Sequence, residues 1–118
     1  MDDQTKLSAA ARLAIGGANN SLHLSAITVS EIHRLVRKGK ISINAPHGLE
    51  EWFQKGLAQH RVACEPITLA IAHAAEMLPP IHHDPADRFI LAMAQILGGT
   101  VLSPDTIMPQ YSSITVEW

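Results

Sequence analysis

At 118 residues the chain is long enough for one domain with its own core and too short for two. Its 47% apolar and 17% charged content excludes a disordered chain, and the formal net charge of −2 excludes a broadly basic nucleic-acid-binding surface. The single cysteine, Cys64, excludes an intrachain disulfide framework and suits a reducing cytoplasm.

No apolar run reaches the roughly 18 to 20 residues of a membrane span. The opening MDDQTKLSAAARLAIGG is acidic first, unlike a signal peptide. It reads as an amphipathic helix capped by Ser8, carrying Leu13 and Ile15 and ended by Gly16 and Gly17. Asn19 and Asn20 mark a turn, and LHLSAITV reads as a short buried strand. Thr28 is the expected cap of a second helix, with Ile32, Leu35 and Val36, that stops near Gly39.

After a connection from Ile41 to Pro46, a third helix is predicted from about Gly48 to His60. Its apolar side is Leu49, Trp52, Phe53 and Leu57, a helical spacing that makes both aromatics core rather than an RNA-stacking platform. RVACEPI reads as a strand, and Thr68 opens an alanine-rich helix that ends before Pro79 and Pro80. A further helix follows Asp84, then strands at Thr100 to Ser103 and in the terminal ITVEW. Strands alternating with helices predict one α/β domain over residues 1–118 with a mainly parallel sheet.

The stretch HHDPADRFILAMA, from His82 to Ala94, carries the most chemistry. In D-P-A-D, Asp84 takes the N-cap, Pro85 the first helical position and Asp87 the third. Capping and the helix dipole account for both aspartates without any ligand. T-V-S-E, Thr28 to Glu31, likewise matches a capping box. A second account fits the same residues. Helix starts in a parallel sheet follow its C-terminal edge, where open α/β sheets bind ligands. Glu31 and Asp87 would converge there, and TVLSPD would deliver Asp105 to the same edge. Three converging carboxylates make a hard-cation site.

SAITVSEI, HHDPADRFILAMA and TVLSPD, in that order and spacing, resemble the PIN domain of VapC-type toxins, ribonucleases of toxin–antitoxin pairs. The likeness extends from Lys6-Leu7-Ser8 to the strand ending in Trp118. It implies a three-layer α/β/α fold and an acidic cluster of Glu31, Asp87 and Asp105, with Asp84 mainly the helix cap. It also implies Mg²⁺ or Mn²⁺ as cofactor, RNA as substrate, a cognate antitoxin that blocks the site, and homodimerisation. The family pattern begins with an apolar strand ending in an aspartate, and this sequence has no counterpart to it. Asp2 and Asp3 follow only a methionine and precede the first helix. One of four family carboxylates is therefore expected to be absent, and strands beside the missing one would have unpaired backbone groups costing roughly 1 to 3 kcal/mol each. A start codon assigned too far downstream, a truncated gene remnant and a shortened chain all fit. The first fits best, because the remaining sequence shows no decay.

Arg34, Arg37, Lys38 and Lys40 form a basic cluster, of which the first three share a helix face suited to phosphates or merely to solvent. Arg88, beside Asp87, would steady the acids or a phosphate, or make an ordinary ion pair. A zinc set of His82, His83, Asp84 and Asp87 lacks any supporting spacing, although either histidine could contact RNA. Cys64 lies in an apolar, strand-like context, and a nucleophile role is not expected of it. The expected activity is metal-dependent endoribonuclease cleavage with Glu31, Asp87 and Asp105 as metal ligands. The alternatives are an inactive PIN-like module that binds antitoxin or itself, and an α/β binding domain whose acids are only caps.

Overall fold

The computed structural model describes residues 20–118; the expected first helix and the Asn19 half of the first turn lie outside them. Strand β1, Leu22–Ser25, is followed at once by helix α1, Ala26–Arg37. The strand therefore stops four residues earlier than LHLSAITV suggests. The cap is Ser25, not Thr28: its backbone is extended (φ −70°, ψ 137°) and its hydroxyl accepts from the Ile27 N–H at 3.3 Å. Thr28 is the third residue of the helix, and Glu31 lies beyond the first turn, so no capping box forms. The helix closes at Gly39, whose φ of 71° permits the paired bonds Gly39 N–H to Val36 O and Lys40 N–H to Leu35 O.

Helix α2 spans Leu49–Gln59, within one residue of expectation at each end, and strand β2 spans Val62–Glu65. Phe53 is buried and stacks at 6.0 Å on the His33 ring of α1, whereas Trp52 is 41% exposed and meets Phe53 edge-on. Of the two aromatics expected in the core, only Phe53 is there. Helix α3, Leu69–Met77, starts as predicted, with the Thr68 hydroxyl accepting from the Ile71 N–H. Helix α4, Pro85–Leu97, has Asp84 as N-cap, Pro85 in its first turn, and Gly98 at φ 67° as its left-handed stop. Short strands β3, Val101–Leu102, and β4, Val116–Glu117, follow, with a 3₁₀ turn at Met108–Gln110 between them.

Every strand pair is parallel, in keeping with the α/β class, but the strands make two separate two-stranded sheets among the described residues. Leu22 pairs with Val62 and Ser25 with Glu65 in one; Val101 pairs with Val116 and Leu102 with Glu117 in the other. The core is concentrated beside β3, where α3 and α4 bring Ile71, Ala75, Leu78 and Leu91 against Val101, Met108, Tyr111 and Ile114. Helix α4 contacts both β1 and β3 and so spans the two sheets.

Arg88 fixes the turn between α3 and α4. Its guanidinium donates to the carbonyls of Ala75, Leu78, Pro79 and His82 at 2.7 to 3.1 Å. The first two are acceptors at the end of α3, Ala75 O also taking the Leu78 N–H at 3.4 Å, and a fork of N–H donors suits such a cluster. The Tyr111 hydroxyl completes the clasp, donating to Pro79 O and accepting from His82 N–H, both at 2.8 Å. This locks the backbone that carries His82.

Candidate functional site

Three side chains meet where α4 begins and β3 has just ended. His82 is only 7% exposed, and its Nε2 lies 3.1 Å from Asp87 Oδ2 and 3.1 Å from Asp105 Oδ2. These three ligand-type atoms lie within 4.8 Å of one another. Asp87 arrives because Asp84 starts the helix: the Asp84 carboxylate accepts from the Ala86 N–H at 2.9 Å and sets the first turn. Asp105 is aimed by its own backbone contacts, its Oδ1 accepting from Ile107 and Met108 N–H at 2.7 and 3.0 Å. That leaves Oδ2 for His82.

The histidine's role follows from its other nitrogen. The Asp84 N–H donates to Nδ1 at 3.3 Å, so Nε2 is the ring nitrogen that carries an N–H toward the two carboxylates. For Nε2 to bind a cation as a lone-pair donor, the proton would have to move to Nδ1, where a donor already points. His82 thus enters the cluster as an N–H donor to Asp87 and Asp105.

The two acids are tuned in opposite directions. Desolvation, then the charge of Asp84, raises the pKa of Asp87, and Asp105 and Glu31 add to this against the lowering effect of His82. Desolvation also pushes Asp105 upward. The bonds from His82 and from Met108 and Ile107 N–H outweigh it, so its carboxyl sits below the ordinary value. Burial and the neighbouring acids thus disfavour the ionised form of Asp87, an effect that a cation bound beside it would oppose. The donor set fits such an ion: two carboxylate oxygens, hard and close together.

Glu31 is near enough for its charge to act on Asp87, yet its carboxylate is ion-paired with Arg34 of the same helix and stands outside the three-residue cluster. The expected triad thus resolves into Asp87 and Asp105 bridged by His82, with Glu31 behind. Arg37, Lys38 and Lys40 are exposed, while Arg34 is occupied by Glu31. Arg88 forms no ion pair with the acids; its fork is directed at main-chain carbonyls. His83 is exposed and Asp84 is turned to its cap, so the zinc set does not assemble. Cys64 is exposed on β2. Sequence reasoning offers His82 only zinc or RNA as partners. Its bridging role has no local signal, because its partner Asp105 lies 23 residues away.

A family model for the PIN domain matches residues 2–113. The chain belongs to the PIN domain family. PIN domains are generally nucleases and usually use a divalent metal, and in this PIN domain His82, Asp87 and Asp105 form a cluster that could hold a metal ion. Neither curated proteins nor solved structures yield a match. Among the described residues no helix is long and apolar enough to cross a membrane.

Proposed function

We propose that this PIN domain is a metal-dependent endoribonuclease, the toxin of a toxin–antitoxin pair acting in the cytoplasm. The observation that carries the reading is the approach of Asp87 and Asp105 to a common point. These two residues would hold Mg²⁺ or Mn²⁺, with Glu31 close behind. Such an ion, when bound, lowers the pKa of its water and offsets charge on the phosphoryl oxygens under attack.

The chain's own residues supply position and charge. Asp84 and Pro85 fix the first turn of α4 and so the direction of Asp87. The Arg88 and Tyr111 clasp holds His82, whose Nε2–H keeps the two like charges together. Arg37, Lys38 and Lys40, exposed at the end of α1, are the cations available to RNA phosphates. A cognate antitoxin and a second copy of the chain are the protein partners of this reading.

A second reading is an inactive PIN module that keeps only its binding role. It is favoured by the pairing of Glu31 with Arg34, which leaves two carboxylates rather than three at the cluster. Cleavage of a structured RNA by the purified chain separates the two. On the nuclease reading, Mg²⁺ or Mn²⁺ supports cleavage and Asp87→Asn lowers its rate by about 100-fold or more with an unchanged circular dichroism spectrum. Metal-independent cleavage, or an Asp87→Asn protein as fast as wild type, contradicts it. No cleavage with retained antitoxin binding selects the inactive module.

A further inference from the structure

Glu31 stands close to the acid pair without joining it. Helices α1 and α4 pack against each other, and Thr28 of α1 lines the same cleft as Asp87 of α4. Glu31 follows Thr28 by three residues, a spacing that puts both on one helix face. Its charge is felt at Asp87. Its carboxylate nevertheless lies outside the cluster of His82, Asp87 and Asp105. Glu31 Oε1 accepts instead from Arg34 Nη2, three residues further along α1.

That pair is built to be replaceable. It is local to one helix, so it forms without any tertiary contact. The side chains of Arg34 and Glu31 are 50% and 32% exposed, and water screens an ion pair in that position and leaves it weak. A divalent cation carries twice the charge of a guanidinium, and its affinity for a site rises with the number of carboxylates that reach it. We propose that Arg34 is this chain's own competitor for the cation, holding Glu31 away from Asp87 and Asp105 and giving it up only when a divalent ion is bound there. The inference rests on the cation site proposed above. Two carboxylates face the ion while Arg34 keeps its partner, and three once it lets go. Arg34 is thus a positioning residue that acts through Glu31 and sets how much metal the chain needs. The coupling is reciprocal, since whatever strengthens the ion pair weakens the cation site by the same factor.

A double-mutant cycle read by calorimetric titration of Mn²⁺ into the full chain tests this, with Arg34→Gln, Glu31→Gln and the double variant. Glutamine keeps the helix propensity of both positions, and circular dichroism checks that each variant is folded. Arg34→Gln is expected to lower the Kd for Mn²⁺ by about fivefold, the scale of an exposed ion pair. Glu31→Gln is expected to raise it. In the Glu31→Gln background, Arg34→Gln is expected to change Kd by less than about twofold, because the residue it acts through is gone. The same gain in both backgrounds would make Arg34 a distant repelling charge and overturn the proposal. Unchanged or weaker binding in Arg34→Gln would overturn it too. Either result, with Mn²⁺ still bound by wild type, removes the competition and leaves the cation site standing. Absence of Mn²⁺ binding in all the proteins removes both.

Discussion

Asp87 and Asp105 differ by what surrounds each carboxylate. Asp87 loses water and faces other acids, so the folded state holds its proton more tightly than the unfolded chain does. Its stabilising contribution is therefore present below the ordinary aspartate pKa of about 3.9 and is lost as pH rises through the higher folded value. Asp105 behaves the other way: its contribution is present above the ordinary value and lost as pH falls through the lower folded one. In chelator, the Tm of Asp87→Asn minus that of wild type is expected to grow more positive from about pH 4 to pH 7. A flat difference across that range, in paired thermal melts, would remove the electrostatic account of Asp87. The capping roles of Asp84 and Thr68 were readable from sequence because a cap is satisfied within three residues. The His82 bridge was not, because it forms only after β3 and α4 have packed.

Among the elements, the α3–α4 turn depends most on one side chain. Arg88 satisfies carbonyls that would otherwise face a half-buried turn, and hydrogen bonds to charged donors are worth more than neutral ones. Arg88→Met is expected to cost about 2 kcal/mol, or roughly 8 °C in Tm. Arg88→Lys is expected to recover little, because one ammonium cannot span the acceptors a guanidinium fork reaches. A Met variant as stable as wild type would show that water replaces the clasp. Helix α2 was predictable from its apolar spacing, and α3 and α4 from their caps Thr68 and Asp84 and, for α4, the stop at Gly98. The start of α1 was not. A-I-T-V is β-branched enough to resemble a strand, and T-V-S-E imitates a capping box, but the Ser25 hydroxyl offers an earlier cap. The half-buried Ile32, Leu35 and Val36 give that helix an apolar side. That three-residue difference moves Glu31 out of the first turn and leaves it paired with Arg34.

Over the whole molecule, burial is uneven. Leu91 and Ala92 of α4 are 0% exposed, whereas α1 has no fully buried residue and β1 has only Ser25. Apolar burial dominates local stability, so amide exchange in α4 is expected to follow global unfolding, while β1 and α1 open at lower free energy. Equal protection in both halves, measured by native-state hydrogen exchange, would show that β1 and α1 share the cooperativity of the core. The parallel α/β class was readable from the alternation of elements; the division into two sheets was not, because strand neighbours are set in three dimensions. The uneven core also bears on the site, since Asp87 and Asp105 are held from its firm side and Glu31 from its looser one. The central claim is that the first two form the cation site. Calorimetric titration of Mn²⁺ into the full chain at pH 7 tests it most directly. One binding site is predicted for wild type, lost in Asp87→Asn and in Asp105→Asn and kept in the surface variant Glu50→Gln. No binding to wild type, or binding indifferent to both aspartates, would contradict it.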